Sequence, residues 1–179
     1  MSRIGSFILG LIIGIIVLAP LGAYLFASFG GIAMATTAKP LPFEQTFARA
    51  ALHASIGDAA KLNNPLPNNE ANLLAGARVY RDNCALCHGL PGQPDTPIAK
   101  GEFPPPPALF QSGQMVTDDP EGVTFWKVSH GIRLSGMPGF ANTLSDDQRW
   151  QVAMLLKNAD KLPPPVKSAL SQGGYEARR

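Results

Sequence analysis

Apolar and polar positions divide the chain into regimes of different character. The first is an unbroken apolar run, "IGSFILGLIIGIIVLAPLGAYLFASFGGIAM", Ile4 to Met34, without one charged side chain. A hydrocarbon core about 30 Å thick needs ~20 helical residues, and this run exceeds that. It predicts a single membrane-spanning helix, with a kink at Pro20 of the kind membranes tolerate. Ala33-Met34-Ala35 is small enough for signal-peptide cleavage. A signal core, however, is only ~7–15 residues long, so the expectation is a retained anchor over 1–35. Ser6, Gly10 and Gly14 form a row of small residues along which membrane helices can approach closely.

Residues 36–69 read as a linker bounded by Pro40, Pro42 and the "NNPLPNN" segment. Inside it, Phe43, Phe47, Ala50, Ala51 and Ala54 recur at helical spacing. They predict a short amphipathic helix lying on the membrane, on the domain or on a partner. The folded domain is expected over 70–163. Asn69 caps its first helix, whose apolar positions Leu73, Gly76, Ala77, Tyr80 and Cys84 share one face. Asp119 followed by Pro120 predicts the cap and first residue of a second helix, ending at Gly131. Ser145 and Gln148 form a capping box for a third, which stops before Pro163. No segment alternates as a good strand, so the domain is expected to be all-α. The remainder, 164–179, reads as a loose polar tail.

Charge follows the same division. Every one of the 15 Lys/Arg except Arg3, and all 13 Asp/Glu, lie beyond the apolar run. The formal net charge of +2 gives no ground for nucleic-acid binding. Arg3 and the terminal amine, alone before the run, favour a cytoplasmic N-terminus and an outward domain.

Between the first two domain helices lies "GLPGQPDTPIAKGEFPPPPALFQSGQMV", too rich in proline for a regular element. A long structureless loop in so small a domain is unusual. It needs a surface to pack on, and a large flat apolar cofactor would provide one.

The chain's only two cysteines stand in "CALCH", Cys84 to His88. C-x-x-C-H is the attachment signature of c-type haem. Two thiols on one helical turn can reach two vinyl groups along one porphyrin edge, and His88 then projects beneath the iron. Zinc would need four ligands, with only His53, His88 and His130 to add. A thioredoxin-like dithiol would need a βαβ setting that the pattern lacks. The expected cofactor is therefore one covalent haem c. For the sixth position, Met137 lies in a Gly-Met-Pro-Gly turn, and thioether sulfur suits haem iron. His130 is the competitor, at the end of the second helix. Met115 has no comparable turn, and Met154 falls on an apolar helix face.

The order of "CALCHG", "FPPPPALF", "SHGIRLSGMPGF" and "LSDDQRWQVAMLLKN" resembles the class I cytochrome c family, specifically its membrane-anchored monohaem bacterial members. The resemblance covers about 70–162. It implies an all-α fold wrapping one haem, with the first and last helices crossing at Gly76 and Tyr80 stacked one turn on. It implies a proline carbonyl that accepts the proximal histidine's N–H. Pro107, two before Leu109, fits that place, and both are expected at the cofactor. Many members carry an aromatic where this chain has Leu155, so the crossing is expected to pack differently, with Trp150 as the substitute. The function implied is one-electron transfer outside the cytoplasmic membrane, with membrane lipid and redox proteins as partners and no small-molecule substrate. The alternative is a haem sensor or peroxidase-like enzyme, which needs an open sixth position.

Overall fold

The computed structural model describes residues 3–93 and 95–172; these are helical or irregular, with no strand among them. The chain divides into two units, Met1–Glu44 and Gln45–Arg179.

The first unit is dominated by α1, Arg3–Phe26, which continues unbroken through Pro20 and buries none of its side chains. Its 24 residues reach about 36 Å at 1.5 Å per residue, long and apolar enough to cross a membrane. An irregular turn, Ala27–Gly31, ends it where Gly30 takes a φ of 82°. Gly10 and Gly14 have open space where a Cβ would stand.

The second unit begins earlier than the pattern indicated. Helix α2, Glu44–Ile56, runs into a 3-10 turn, Gly57–Lys61, and Leu66 packs against the main core. The expected apolar face of α2 is not the one that packs: Phe47, Ala50, Ala51 and Ala54 are exposed, while Ile56 is buried and Leu52 half-buried. The 3-10 turn closes on Gly122, where a Cβ would overlap the Ala59 carbonyl.

The core is built by α3, Glu70–Asn83, crossing α7, Asp146–Lys157. The Asn69 side chain accepts the Asn72 N–H at 2.9 Å and caps α3. The capping box on α7 is complete, Ser145 Oγ accepting from the Gln148 N–H at 3.2 Å and Gln148 Oε1 from the Ser145 N–H at 2.9 Å. At the crossing, a Cβ on Gly76 would overlap the Gln151 carbonyl and lie 3.3 Å from Leu155 Cβ. The missing aromatic is therefore replaced by direct backbone approach over Leu155. Trp150 is not the substitute. It stacks on Phe125, ring centroids 4.0 Å apart, and so joins α7 to α6, Glu121–His130. Buried Arg149 lies over the same Phe125 ring and donates to Ser129 Oγ at 2.5 Å.

Helix α6 starts one residue later than expected, with Pro120 itself at the cap position. Asp119 instead pairs with Lys127 at 3.5 Å and offers its carbonyl to Lys157 Nζ at 3.1 Å. The proline-rich loop holds two short helical turns, α4, Ala85–His88, at its entrance and α5, Pro97–Gly101, capped by Thr96, within it. The expected loose tail is also corrected: Pro164–Ser171 forms α8, with Val166 and Leu170 fully buried against α3. Proline suits a helix's first turn, where no N–H is needed, so the run that stops one helix also starts the next. The rest of the expected tail, 173–179, lies outside the described residues.

Candidate functional site

Helix α3 delivers the cysteine motif. The Cys84 N–H still bonds the Tyr80 carbonyl at 2.7 Å, and the Cys84 carbonyl accepts from Cys87 and His88 at 3.1 and 2.9 Å. Both thiols and the imidazole are thereby fixed on one tight turn. Gly89, with φ at 71°, lets the chain leave it. The Tyr80 hydroxyl donates to the Gly89 carbonyl at 2.9 Å, and the Tyr80 ring meets Phe110 edge-on at 5.0 Å.

His88 Nδ1 lies 2.8 Å from the Pro107 carbonyl. A carbonyl can only accept, so Nδ1 carries a proton, and in the neutral ring Nε2 then keeps the lone pair. Burial lowers the His88 pKa, against smaller upward effects of the Pro107 bond and Glu102. The ring is thus a neutral imidazole with one nitrogen oriented and the other free, the form a metal ligand requires. Leu109, two residues past Pro107, is buried in the core.

Cys84 and Cys87 are both half-buried and unpaired. Burial, then the neighbouring Cys87, pushes the Cys84 thiol up to about 12. Burial, then Glu102, also raises Cys87. A dithiol redox pair depends on the opposite shift. Zinc fares no better: among the described residues, no three His, Cys, Asp or Glu gather as a cage.

Met137 sits in a loop folded back on the end of α6. Gly131, with φ at 68°, lies so close to Pro138 and Gly139 that a Cβ would come 2.6 Å from their backbone. The Phe140 and Ala141 N–H groups bond the Val128 and Ser129 carbonyls at 2.9 and 3.1 Å. Within the loop, Ser135 Oγ donates to the Ile132 carbonyl at 2.7 Å and accepts the Met137 N–H at 3.2 Å. Met137 is half-buried and packs, with Cys84 and Phe110, against the cluster that contains Leu109. A single carboxylate links this loop to the cysteine turn: Glu102 Oε1 is 3.8 Å from Cys87 Sγ and abuts Gly136.

The rival residues lie elsewhere. His53 is exposed on α2. His130 is exposed and stacks on Trp126, with Nδ1 3.0 Å from the Trp126 carbonyl. Met154 is 1% exposed in the core. Three residues escaped the pattern: Glu102, Phe110 and Gln114, whose Oε1 accepts the Ala108 N–H at 2.9 Å. Sequence carries no signal for Glu102 or Gln114, because each is an ordinary polar loop residue until the loop is folded.

Helices α3 and α7 crossing at a glycine, with a C-x-x-C-H turn between them in the chain, define a c-type cytochrome domain. Residues 71–156 match the family model described as cytochrome c oxidase, cbb3-type, subunit III, and the domain they form belongs to the class I c-type cytochromes. No match was found among curated proteins. Among solved structures, the chain is similar to one in the Kuenenia stuttgartiensis reducing HAO-like protein complex Kustc0457/Kustc0458, with 28% identity and a TM-score of 0.46 over 53% of this chain. The alignment spans 46% of that chain, less than half its length. The cytochrome c family implies haem c and electron transfer.

Proposed function

We propose that this chain is a membrane-anchored monohaem cytochrome passing single electrons between redox proteins on the outer face of a bacterial cytoplasmic membrane. It would do so as a subunit of a respiratory or photosynthetic complex, or beside one. Helix α1 is the anchor. Haem c, when bound, supplies a one-electron iron couple. Cys84 and Cys87 would hold it through two thioether bonds, with the His88 imidazole and the Met137 thioether as the iron ligands. Pro107 orients the His88 ring, and buried Leu109 closes the apolar wall. With His88 and Met137 both serving as iron ligands, the metal would offer no free site to a small molecule, which favours electron transfer over catalysis.

The observation that carries this reading is the 2.8 Å approach of His88 Nδ1 to the Pro107 carbonyl. It presents a neutral ring nitrogen on the same turn as both thiols. The test is the intact mass of the protein from cells competent to attach haem. The polypeptide plus one haem is expected. The bare polypeptide mass would overturn the reading, and Cys84→Ala should lose one of the two covalent links.

A further inference from the structure

We propose that Gln114 is a positioning residue for the His88 imidazole, acting through the peptide that joins Pro107 to Ala108. The carbonyl of that peptide is the Pro107 oxygen, 2.8 Å from His88 Nδ1. Its N–H belongs to Ala108 and donates to Gln114 Oε1 at 2.9 Å. The two bonds therefore engage opposite ends of one planar, conjugated unit. A backbone N–H can only donate, so the amide of Gln114 must present its oxygen here.

The loop is wound to make this contact. The Gln111 N–H bonds the Ala108 carbonyl at 2.8 Å, and the Gln114 N–H bonds the Gln111 carbonyl at 3.0 Å. Gly113 takes a φ of 82°, and these successive turns bring the Gln114 side chain back over Ala108. Pro104 to Pro107 have no N–H, so Ala108 is the first backbone donor after Phe103. Gln114 holds the peptide plane at that donor.

The electronic consequence has a definite sign. Donating its N–H polarises a peptide and puts more negative charge on its oxygen, as in any hydrogen-bonded chain. A more negative Pro107 oxygen draws harder on the Nδ1 proton of His88. Electron density then rises at Nε2, and a more basic ligand favours the oxidised metal. Gln114 thus lowers the reduction potential while fixing the ring's orientation.

The inference rests on His88 being an iron ligand, and the experiment separates the two. In the full-length holoprotein, Gln114→Leu and Gln114→Glu are compared with wild type by redox titration and by NMR exchange of the His88 Nδ1 proton in the reduced state. Haem content and low-spin absorption are read first; if they fail in the wild type, the ligand reading itself falls. With these intact, Gln114→Leu should raise the potential and speed exchange of the Nδ1 proton. Gln114→Glu, which keeps an acceptor, should retain the slow exchange and a potential no higher than wild type. An unchanged potential in Gln114→Leu would overturn the proposal. A changed potential with unchanged exchange would also overturn it, because the effect would then bypass His88.

Discussion

The hydroxyl of Tyr80 is hydrogen-bonded to the carbonyl of Gly89 at 2.9 Å, tying the core helix α3 to the residue that follows His88. Both residues are buried. Burial, then the neighbouring Cys84, holds the phenol far above its ordinary pKa, so the hydroxyl keeps its proton at neutral pH and can donate. Tyr80→Phe should leave the Gly89 carbonyl without that partner and cost about 1–3 kcal/mol. The denaturant midpoint should fall, with haem content retained. An unchanged midpoint would show that water replaces the hydroxyl freely.

Much of this architecture was legible in the sequence because it rests on local signals. The capping box at Ser145 and the turn of Cys84 to His88 each need only short-range pattern, whereas the crossing at Gly76 follows from the family resemblance. Other features depend on the folded neighbourhood. Periodicity does not say whether Trp150, on α7, packs on α3 or on α6, and its stacking partner Phe125 decides for α6. On α2, Phe47 is exposed although it belongs to the expected apolar face, while Leu52 and Ile56, four residues apart, carry the helix's burial. The reach of Gln114 across two turns to Ala108 has no periodic signature at all. Pro107 was placed within a run of four prolines by resemblance, and its carbonyl is the one facing His88.

Met137→Ala should retain covalent haem but lose the low-spin spectrum and lower the potential, because a thioether ligand favours the reduced metal. Met154→Leu is the control. Met154 is 1% exposed, and a volume-conserving change there should cost less than about 1.5 kcal/mol and leave the spectrum unaltered. A low-spin spectrum that survives Met137→Ala and retains its sulfur-to-iron absorption band would assign the sulfur to another methionine.

Gly76→Ala sets two effects against each other. Alanine is the better helix former by about 1 kcal/mol. Its Cβ, however, would overlap the Gln151 carbonyl, and backbone cannot move aside as a flexible side chain can. Overpacking of this kind costs about 1–3 kcal/mol, so the substitution should destabilise the domain. Thermal unfolding of the holoprotein would show it as a lower midpoint. A raised midpoint would mean that the two helices separate easily at this crossing.

Helix α8 lies beyond residues 71–156, so the family match does not cover this contact with the core. Leu170 and Val166 are fully buried, and Arg81 on α3 donates to the Gln172 carbonyl at 3.2 Å. Removing the Leu170 side chain should cost about 2–5 kcal/mol, a large share of the ~5–15 kcal/mol that stabilises a domain. Lys167→Ala, at an exposed position on the same helix, should stay within about 0.5 kcal/mol of wild type. The comparison separates core packing from helix propensity, because both substitutions introduce alanine. Equal urea midpoints for the two variants would show that α8 is dispensable and that α3 and α7 alone sustain the fold. A selective loss in Leu170→Ala, with the haem spectrum intact in the folded fraction, would show that the segment following the proline run supports the helix carrying Cys84.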